Sequence, residues 1–311
     1  MTRAGGRARV PAAIALALCL LSGCLGFHQG AMPGEPARAT FREARGARVR
    51  VRETGQGPAV LLLHGFASSL DTWDRVQPAL ARAGYRVVAL DLKGFGWTDR
   101  PAGDYSPGEQ ARLALDVLSQ LGIENAAVVA HSWGSSVALE MALRAPARVR
   151  ALALYDAWVY EEQLPSFFLW ARAPGIGEAL FSLFYDERPD DRMALAFFDP
   201  SRLPERLMED VERALDRPGT RAAALAAVRG QRFAELEQRY KEVRQPALLL
   251  WGREDRVAIL RAGERLARDL PAAQLVVYPR CGHFPMLEAE AASTHDLVRF
   301  LDRIHPPRSA P

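Results

Sequence analysis

The stretch Val128-Val129-Ala130-His131-Ser132-Trp133-Gly134-Ser135-Ser136 decides the fold, because an apolar run ends there on a serine between small residues. A strand over residues 126–130 that turns at once into a helix over 133–143 would hold Ser132 in a tight turn, and we expect a positive φ there. Small residues are needed two positions before and after such a serine. The pattern is typical of a nucleophile elbow at the carboxyl edge of a sheet, although an ordinary strand-to-helix turn containing serine would share it.

Apolar runs and helical periodicity alternate on both sides of the elbow. The predicted strands cover residues 49–52, 59–63, 87–90, 126–130, 152–154, 246–251 and 275–278. The predicted helices cover residues 73–83, 106–121, 133–143, 260–270 and 291–304. Gly55-Gln56-Gly57 predicts a hairpin between the first two strands, and Ser106-Pro107-Gly108-Glu109 predicts a capping box. This alternation is typical of a mostly parallel α/β sheet, with a core formed by residues 40–157 and 244–306.

The segment between these two parts of the core, residues 158–243, has no strand pattern. It is rich in Leu, Ala, Phe and Arg at helical spacing and is interrupted by six prolines. Several short helices that form a lid are therefore predicted. Eight aromatic residues of this segment are expected to line a substrate cleft or to pack the lid on the core: Phe167, Phe168, Trp170, Phe181, Phe184, Tyr185, Phe197 and Phe198.

Residues 1–23 have the features of a bacterial signal peptide. Three arginines precede an apolar stretch, residues 10–21, that is short for a bilayer span. Leu21-Ser22-Gly23-Cys24 resembles a lipobox, in which Cys24 becomes a diacylated N-terminus after cleavage. A plain secretory signal or an uncleaved anchor is the alternative. We expect an exported protein anchored to a membrane by its lipid, with a preference for the outer membrane because Leu25 and Gly26, and no acidic residue, directly follow Cys24.

Residues 24–39 are rich in glycine and proline, so we expect a flexible tether between the lipid and the domain. The chain carries 40 basic and 37 acidic residues, for a net charge of +3. Removal of residues 1–23 deletes three arginines and no acid, which leaves 37 of each sign and a formally neutral chain. Neutrality gives no electrostatic reason to expect nucleic-acid binding. Cys19 and Cys24 fall in the signal region, which leaves Cys281 without a disulfide partner and predicts a small buried hydrophobic side chain.

A serine nucleophile needs a base, and the base needs an acid that orients it. Downstream of Ser132, Asp255 follows the apolar run 247–250, and His283 follows the strand predicted over 275–278. Both loops would lie at the same sheet edge as Ser132. The open alternatives for the acid are Glu254 and Asp156. Among the other histidines, His64 is expected to support its loop and His131 to point away from the serine, whereas His28, His295 and His305 lie in terminal segments.

With these residues in order, the chain resembles the α/β-hydrolase superfamily over about residues 40–304. His64-Gly65-Phe66 resembles the oxyanion-hole loop, Asp91-Leu92-Lys93-Gly94-Phe95-Gly96 the loop after the next strand, and Gly282-His283 the histidine loop. The resemblance implies an eight-stranded, mostly parallel sheet flanked by helices. It also implies an oxyanion hole formed by the backbone N–H groups of Phe66 and Trp133.

The main hypothesis is a serine hydrolase that cleaves an ester or a related acyl bond of a small apolar substrate through an acyl intermediate on Ser132. Hydrolysis of a carbon–carbon bond, which the same motifs also resemble, and a perhydrolase side activity are alternatives within enzymes. A binding lipoprotein without catalysis is the alternative of another class. Gly94-Phe95-Gly96 lacks the third glycine of a dinucleotide site, and no His or Cys pair has ligand spacing. We therefore expect no cofactor and no metal, whereas the oligomeric state stays open.

Overall fold

The computed structural model of the protein describes residues 25–185 and 189–304, without the side chain of Arg192. The predicted signal peptide, the lipid site at Cys24 and His305 lie outside the described residues. In the described part of the chain, no helix is both long enough and apolar enough to cross a bilayer.

Eight strands form one sheet in the order β1-β2-β4-β3-β5-β6-β7-β8. The strands are β1 (Thr40–Ala44), β2 (Ala47–Thr54), β3 (Ala59–Leu63), β4 (Arg86–Leu90), β5 (Ala126–His131), β6 (Val149–Tyr155), β7 (Ala247–Gly252) and β8 (Ala273–Tyr278). All neighbours from β4 to β8 pair in parallel, and β1 and β2 pair antiparallel at one edge. The strand β5 is buried along its whole length because helices cover both faces of the sheet. This architecture confirms the predicted eight-stranded, mostly parallel α/β-hydrolase fold.

Twelve α-helices flank the sheet or lie in the insertion, within the described residues. They are α1 (Val76–Arg82), α2 (Pro107–Gln120), α3 (Gly134–Arg144), α4 (Ser166–Ala171), α5 (Ile176–Phe184), α6 (Pro189–Ala196), α7 (Glu205–Leu215), α8 (Thr220–Gly230), α9 (Phe233–Leu236), α10 (Leu260–Asp269), α11 (Pro285–Glu288) and α12 (Glu290–Ile304). The predicted capping box at α2 is half formed. Oγ of Ser106 accepts the N–H of Glu109, but the Glu109 carboxylate binds Arg45 and Arg112 instead of reaching back.

The predicted hairpin between β2 and β3 is wrong, because β4 lies between these two strands. The hairpin partner of β2 is β1, joined to it through Arg45 and Gly46, which both have positive φ. The glycines that suggested a turn have another role. A Cβ on Gly57 would lie 2.1 Å from the carbonyl oxygen of Gly84, so the chain passes closely under the segment that enters β4.

The insertion between β6 and β7 carries α4 to α9 and three short 3₁₀ helices, and no strand occurs in its described residues. The 3₁₀ helices are Glu161–Gln163, Pro200–Arg202 and Glu237–Glu242. Part of the insertion belongs to the main core, since Trp158, Phe233 and Tyr240 pack in the cluster that includes the sheet. A smaller cluster around Phe181 and Leu225 holds the outer helices together.

The segment predicted as a flexible tether packs on the domain, which corrects that expectation for residues 25–39. His28 and Arg100 exchange two backbone hydrogen bonds of 2.9 and 2.8 Å, and the side chain of Met32 is buried. Glu35 forms a salt bridge with Arg48, and Leu25 packs against the small lid cluster. Glycine and proline disfavour helices and strands, but an irregular segment can still bury its apolar residues on a neighbouring surface. The described chain therefore begins on the domain itself.

Candidate active site

The turn that carries Ser132 has the strained geometry expected of an elbow. Ser132 has a φ of 50°, and its N–H donates to the carbonyl oxygen of Tyr155 at 2.9 Å, which holds the turn against β6. A Cβ at Gly134 would lie 2.4 Å from the carbonyl oxygen of His64, so only glycine lets α3 start this close to β3. The strain and the close approach hold the Ser132 side chain at the carboxyl ends of the strands.

The two N–H groups predicted for an oxyanion hole lie on either side of this turn. Phe66 lies in the loop after β3, and Trp133 directly follows Ser132. Their rings make an edge-to-face contact with centroids 6.2 Å apart. Within the described residues, neither backbone N–H has a hydrogen-bond acceptor. Both donors are therefore unoccupied by the protein, as a site for a developing oxyanion requires.

His283 and Asp255 are joined by a short hydrogen bond. Nδ1 of His283 lies 2.8 Å from Oδ2 of Asp255, and both side chains are buried. The other carboxylate oxygen of Asp255 accepts the N–H groups of Val257 and Ala258 at 2.7 and 3.0 Å. These bonds fix the carboxylate and place the Nδ1 proton, so Nε2 of His283 is left as the basic nitrogen that a general base needs.

Ser132 and His283 line the same cavity, so the structure brings the three predicted residues together at one edge of the sheet. In the described part of the chain, the Ser132 hydroxyl makes no hydrogen bond with the imidazole. Such contacts are often long in hydrolases without a substrate and shorten when one is bound. The arrangement therefore has the parts of a Ser-His-Asp triad before the serine–histidine contact has formed.

The two alternative acids have other contacts. The Glu254 carboxylate accepts the N–H of Cys281 at 3.0 Å and so holds the histidine loop to the end of β7. Oδ1 of Asp156 accepts the N–H of Gly252 at 2.9 Å, whereas its Oδ2 is buried without a hydrogen-bond partner among the described residues. Burial, followed by the charge of Asp255, holds the pKa of Asp156 well above its ordinary value. Asp156 therefore holds the end of β7 beside the acid that contacts His283.

Two residues that hold the histidine loop were missed at the sequence level. Nε2–H of His131 donates to the carbonyl oxygen of His283 at 2.8 Å, and burial lowers the pKa of His131 well below its ordinary value. The Glu288 carboxylate accepts the N–H groups of Gly282 and Phe198 at 2.8 Å each. The position of His131 next to Ser132 was the available signal for the first. Nothing in the local pattern around Glu288 indicates the second.

His64 has the supporting role expected of it. Its Nε2 accepts the N–H of Leu92 at 2.9 Å, so Nδ1 carries the proton and donates to the carbonyl oxygen of Gly65 at 2.7 Å. Burial lowers the pKa of His64, which keeps this tautomer uncharged. The neutral ring ties the loop that carries Phe66 to the loop after β4.

The cavity above Ser132 has a volume of about 540 Å³ and is mainly apolar. No Lys or Arg lines it among the described side chains. Its walls come from the oxyanion loop, the histidine loop and the lid, through Phe66, Trp158, Pro165, Phe167, Phe168, Tyr185, Met193, Leu195, Leu207, Val211, Leu215, Val257 and Phe284. Leu195 is half exposed, so the cavity opens to solvent beside α6. The site suits an apolar ligand more than a charged one.

Seven of the eight lid aromatics fall into three groups, and the eighth, Phe198, is half-buried and donates its backbone N–H to Glu288. Phe167, Phe168 and Tyr185 line the cavity, as expected. Phe181 is buried in the small lid cluster, whereas Phe197 is buried in a core cluster and stacks on Phe284 of the histidine loop. Trp170 and Phe184 are 63% and 44% exposed and are not among the residues that line the cavity.

Cys281 is buried and has no disulfide partner in the described chain, and burial raises the pKa of its thiol. Asp156, Asp255 and His283 present polar atoms within 4.8 Å of one another, a spacing that a metal ion would also accept. The hydrogen bonds of Asp255 to His283 and to two backbone N–H groups account for this arrangement.

The fold and the site together define a hydrolase of the α/β class. The chain belongs to the α/β-hydrolase fold family, whose family model matches residues 58–290. A 2-hydroxy-6-oxononadienedioate/2-hydroxy-6-oxononatrienedioate hydrolase of Paraburkholderia phymatum is 33% identical over 82% of this chain and 91% of its own length.

Two solved structures are similar over most of their length. A meta-cleavage product hydrolase of Pseudomonas fluorescens is 26% identical, with a TM-score of 0.71 over 86% of this chain and 98% of its own. A bacterial membrane phospholipase A is also 26% identical, with a TM-score of 0.70, and it covers 95% of this chain and 92% of its own.

Proposed function

We propose that the protein hydrolyses an ester or a related acyl bond of an apolar substrate through an acyl intermediate on Ser132. His283 takes the proton of the Ser132 hydroxyl and returns it to the leaving group, and Asp255 orients the imidazole. The N–H groups of Phe66 and Trp133 stabilise the oxyanion. Water then attacks the acyl group with His283 again as the base, which restores the free serine.

The observation that carries this proposal is the apolar cavity directly above Ser132. An uncharged acyl chain is stabilised in it by about 25 cal/mol for each Å² of apolar surface removed from water. A carboxylate would lose its hydration there without gaining a partner among the described side chains. The similar membrane phospholipase A is consistent with an acyl ester as the substrate.

Hydrolysis of a carbon–carbon bond is the second candidate. It is favoured by the 33% identity to an enzyme whose name gives a dienedioate substrate, which carries two carboxylates. The same serine, histidine and acid would serve this reaction. The charge of the substrate distinguishes the candidates, because two carboxylates need cationic or hydrogen-bonding partners in the cavity.

The first experiment is labelling with a fluorophosphonate, which reacts with activated serines. We expect covalent labelling of the parent and none of Ser132→Ala, with Ser135→Ala as a matched control on the same turn. Absence of labelling in the folded parent would favour the binding lipoprotein. The second experiment compares p-nitrophenyl esters of increasing chain length with a ring-fission dienone dicarboxylate. A higher kcat/KM for the dienone would transfer the proposal to carbon–carbon bond cleavage.

The proposed location is a bacterial membrane, with a diacylglyceryl group on Cys24 after cleavage at Gly23 and with the outer membrane preferred. The support is the tetrapeptide Leu21-Ser22-Gly23-Cys24 and the residues that follow it. Mass spectrometry of the native N-terminus should find the modified Cys24, and Cys24→Ser should remove the modification. An unmodified mature chain that starts elsewhere would contradict the anchor and leave the hydrolase proposal untouched.

A further inference from the structure

The outer face of the first two lid helices is unusually apolar. Leu169 and Trp170 at the end of α4 are 42% and 63% exposed, and Ile176 and Leu183 of α5 are 51% and 52% exposed. Ile176 and Leu183 are seven residues apart and lie on one side of α5. We call these four residues the lid patch. Large apolar side chains exposed in neighbouring helices mark a contact surface in a soluble domain.

The described stretch that carries the lid patch, residues 164–184, has no unpaired charge. Residues 164–184 contain only two charged side chains, Arg172 and Glu178. Arg172 forms a salt bridge with Glu161, and Glu178 forms one with Arg229. A segment without unpaired charges can enter an apolar or interfacial environment without the large cost of desolvating an ion.

The position of Leu25 indicates what covers the lid patch. Leu25, the first described residue, packs against the cluster that contains Ala171 of α4 and Phe181 of α5. If the chain is cleaved after Gly23, only Cys24 precedes it. Because residues 25–39 pack on the domain, there is no spacer, and a lipid on Cys24 brings the bilayer to these helices.

We propose that the lid patch docks on the surface of a phospholipid bilayer, with Leu169, Trp170, Ile176 and Leu183 in the interfacial layer. The cavity lies directly behind this surface, since Phe167 and Phe168 of α4 line it. The orientation of the protein on the membrane rests on the proposed lipid site at Cys24. The affinity of the lid patch for lipid is independent of that site.

Trp170 provides a native probe of this contact. Of the six tryptophans, it is the exposed one, since Trp73, Trp133, Trp158 and Trp251 are buried and Trp97 is half-buried. The test uses the full chain with Cys24→Ser and vesicles of phosphatidylcholine, with and without brominated acyl chains. We expect a blue shift of the tryptophan emission on binding and quenching by the brominated lipid. The quenching should disappear in Trp170→Phe while binding remains, because phenylalanine keeps the apolar surface.

Charge variants measure the contribution of the lid patch. Trp170→Glu and Ile176→Glu, in the Cys24→Ser chain, should each lower the vesicle-bound fraction by about tenfold, because a carboxylate in the interfacial layer is costly. Ala272→Glu is the matched control. Ala272 is exposed directly before the amino end of β8, whereas the lid follows the carboxyl end of β6, so this variant should bind vesicles like the parent. Thermal unfolding shows that each variant is folded without reference to its activity.

Three results would overturn the proposal. One is a Cys24→Ser chain that does not bind vesicles, and another is binding without quenching of Trp170, which would place the contact elsewhere. The third is a dimer that Trp170→Glu dissociates in the absence of lipid, which would assign the lid patch to a second copy of the chain. None of these results depends on labelling of Ser132, so failure here is distinct from failure of the proposed function.

Discussion

The carboxyl groups of Asp156 and Asp255 approach within 4.8 Å of each other beyond the ends of β6 and β7, yet only that of Asp255 contacts His283. Two carboxylates this close and this deeply buried do not both ionise readily, and burial together with the charge of Asp255 raises the pKa of Asp156 well above its ordinary value. The two carboxyl groups therefore have different contacts, since that of Asp255 orients the base and that of Asp156 accepts the N–H of Gly252 at the end of β7.

Substitution of the two acids should separate these roles. Asp255→Asn is expected to lower kcat by about 10⁴, because the amide no longer stabilises the charged imidazole or fixes its tautomer. Asp156→Asn should lower kcat by less than about tenfold, since an amide is also neutral and keeps an oxygen for the N–H of Gly252. Steady-state hydrolysis of a soluble ester measures both. A larger loss for Asp156→Asn would assign the acid to Asp156.

Asp156 should also make stability depend on pH. Its folded-state pKa is raised, so its contribution to stability is complete below about pH 4 and is lost as the pH rises toward that pKa. The folded protein must retain a proton that the unfolded chain releases. The free energy of unfolding of Asp156→Asn, relative to the parent, is therefore expected to increase between about pH 4 and pH 8 in urea titrations. A constant difference across this range would show that Asp156 is ionised in the folded state.

His131 should have the opposite dependence. Burial, followed by the neighbouring His283, depresses its pKa, so its contribution to stability is present above about pH 6.5 and is lost as the pH falls. We expect the free energy of unfolding to decrease from about pH 7.5 to pH 5.5 in the parent and to decrease less in His131→Gln. His295→Gln, at an exposed position of α12, is the control and should follow the parent. Equal slopes for all three proteins would contradict a buried neutral His131.

Contact between the lid and the histidine loop leaves no room for a side chain at Gly282. A Cβ there would lie 2.4 Å from the carbonyl oxygen of Ala196 and 2.7 Å from the nitrogen of Phe198. Gly282→Ala is expected to displace the loop and to lower kcat by about ten- to a hundredfold, because small misplacements of a base are costly. Gly26→Ala, where a Cβ meets nothing within 4 Å, should keep the parent rate. Full activity of Gly282→Ala would show that the lid yields at this point.

The sequence predicted the elements whose signals are local. Burial on both faces makes β3, β5 and β7 continuous apolar runs, and the turn at Ser132 restricts its neighbours to small residues. These signals also indicated the position of Asp255 and His283 at strand ends. The order of the strands in the sheet could not be predicted in the same way. Glycines such as Gly55 and Gly57 occur in hairpin turns and also where two backbone segments pass close to each other, and the sequence does not distinguish the two.

Contacts between distant parts of the chain account for the rest. Glu288 holds the histidine loop by accepting N–H groups from Gly282 and Phe198, and the partner in the lid is 90 residues away. The segment 25–39 is held by the backbone of Arg100 and by Arg48 of β2, which binds Glu35, and no local pattern reveals these contacts. The sequence around Glu288 and around residues 25–39 has no distinctive pattern, so these long-range contacts can be identified only in the folded structure.

The hydrogen bond from the N–H of His283 to the carbonyl oxygen of Ala196, 2.7 Å long, spans the boundary between lid and catalytic loop. The bond is one of the supports that hold the base, so a displacement of α6 that lengthens it would also loosen His283. A mutation that loosens α6 is therefore expected to slow the steps that need a fixed imidazole, although the cavity is already open to solvent beside α6.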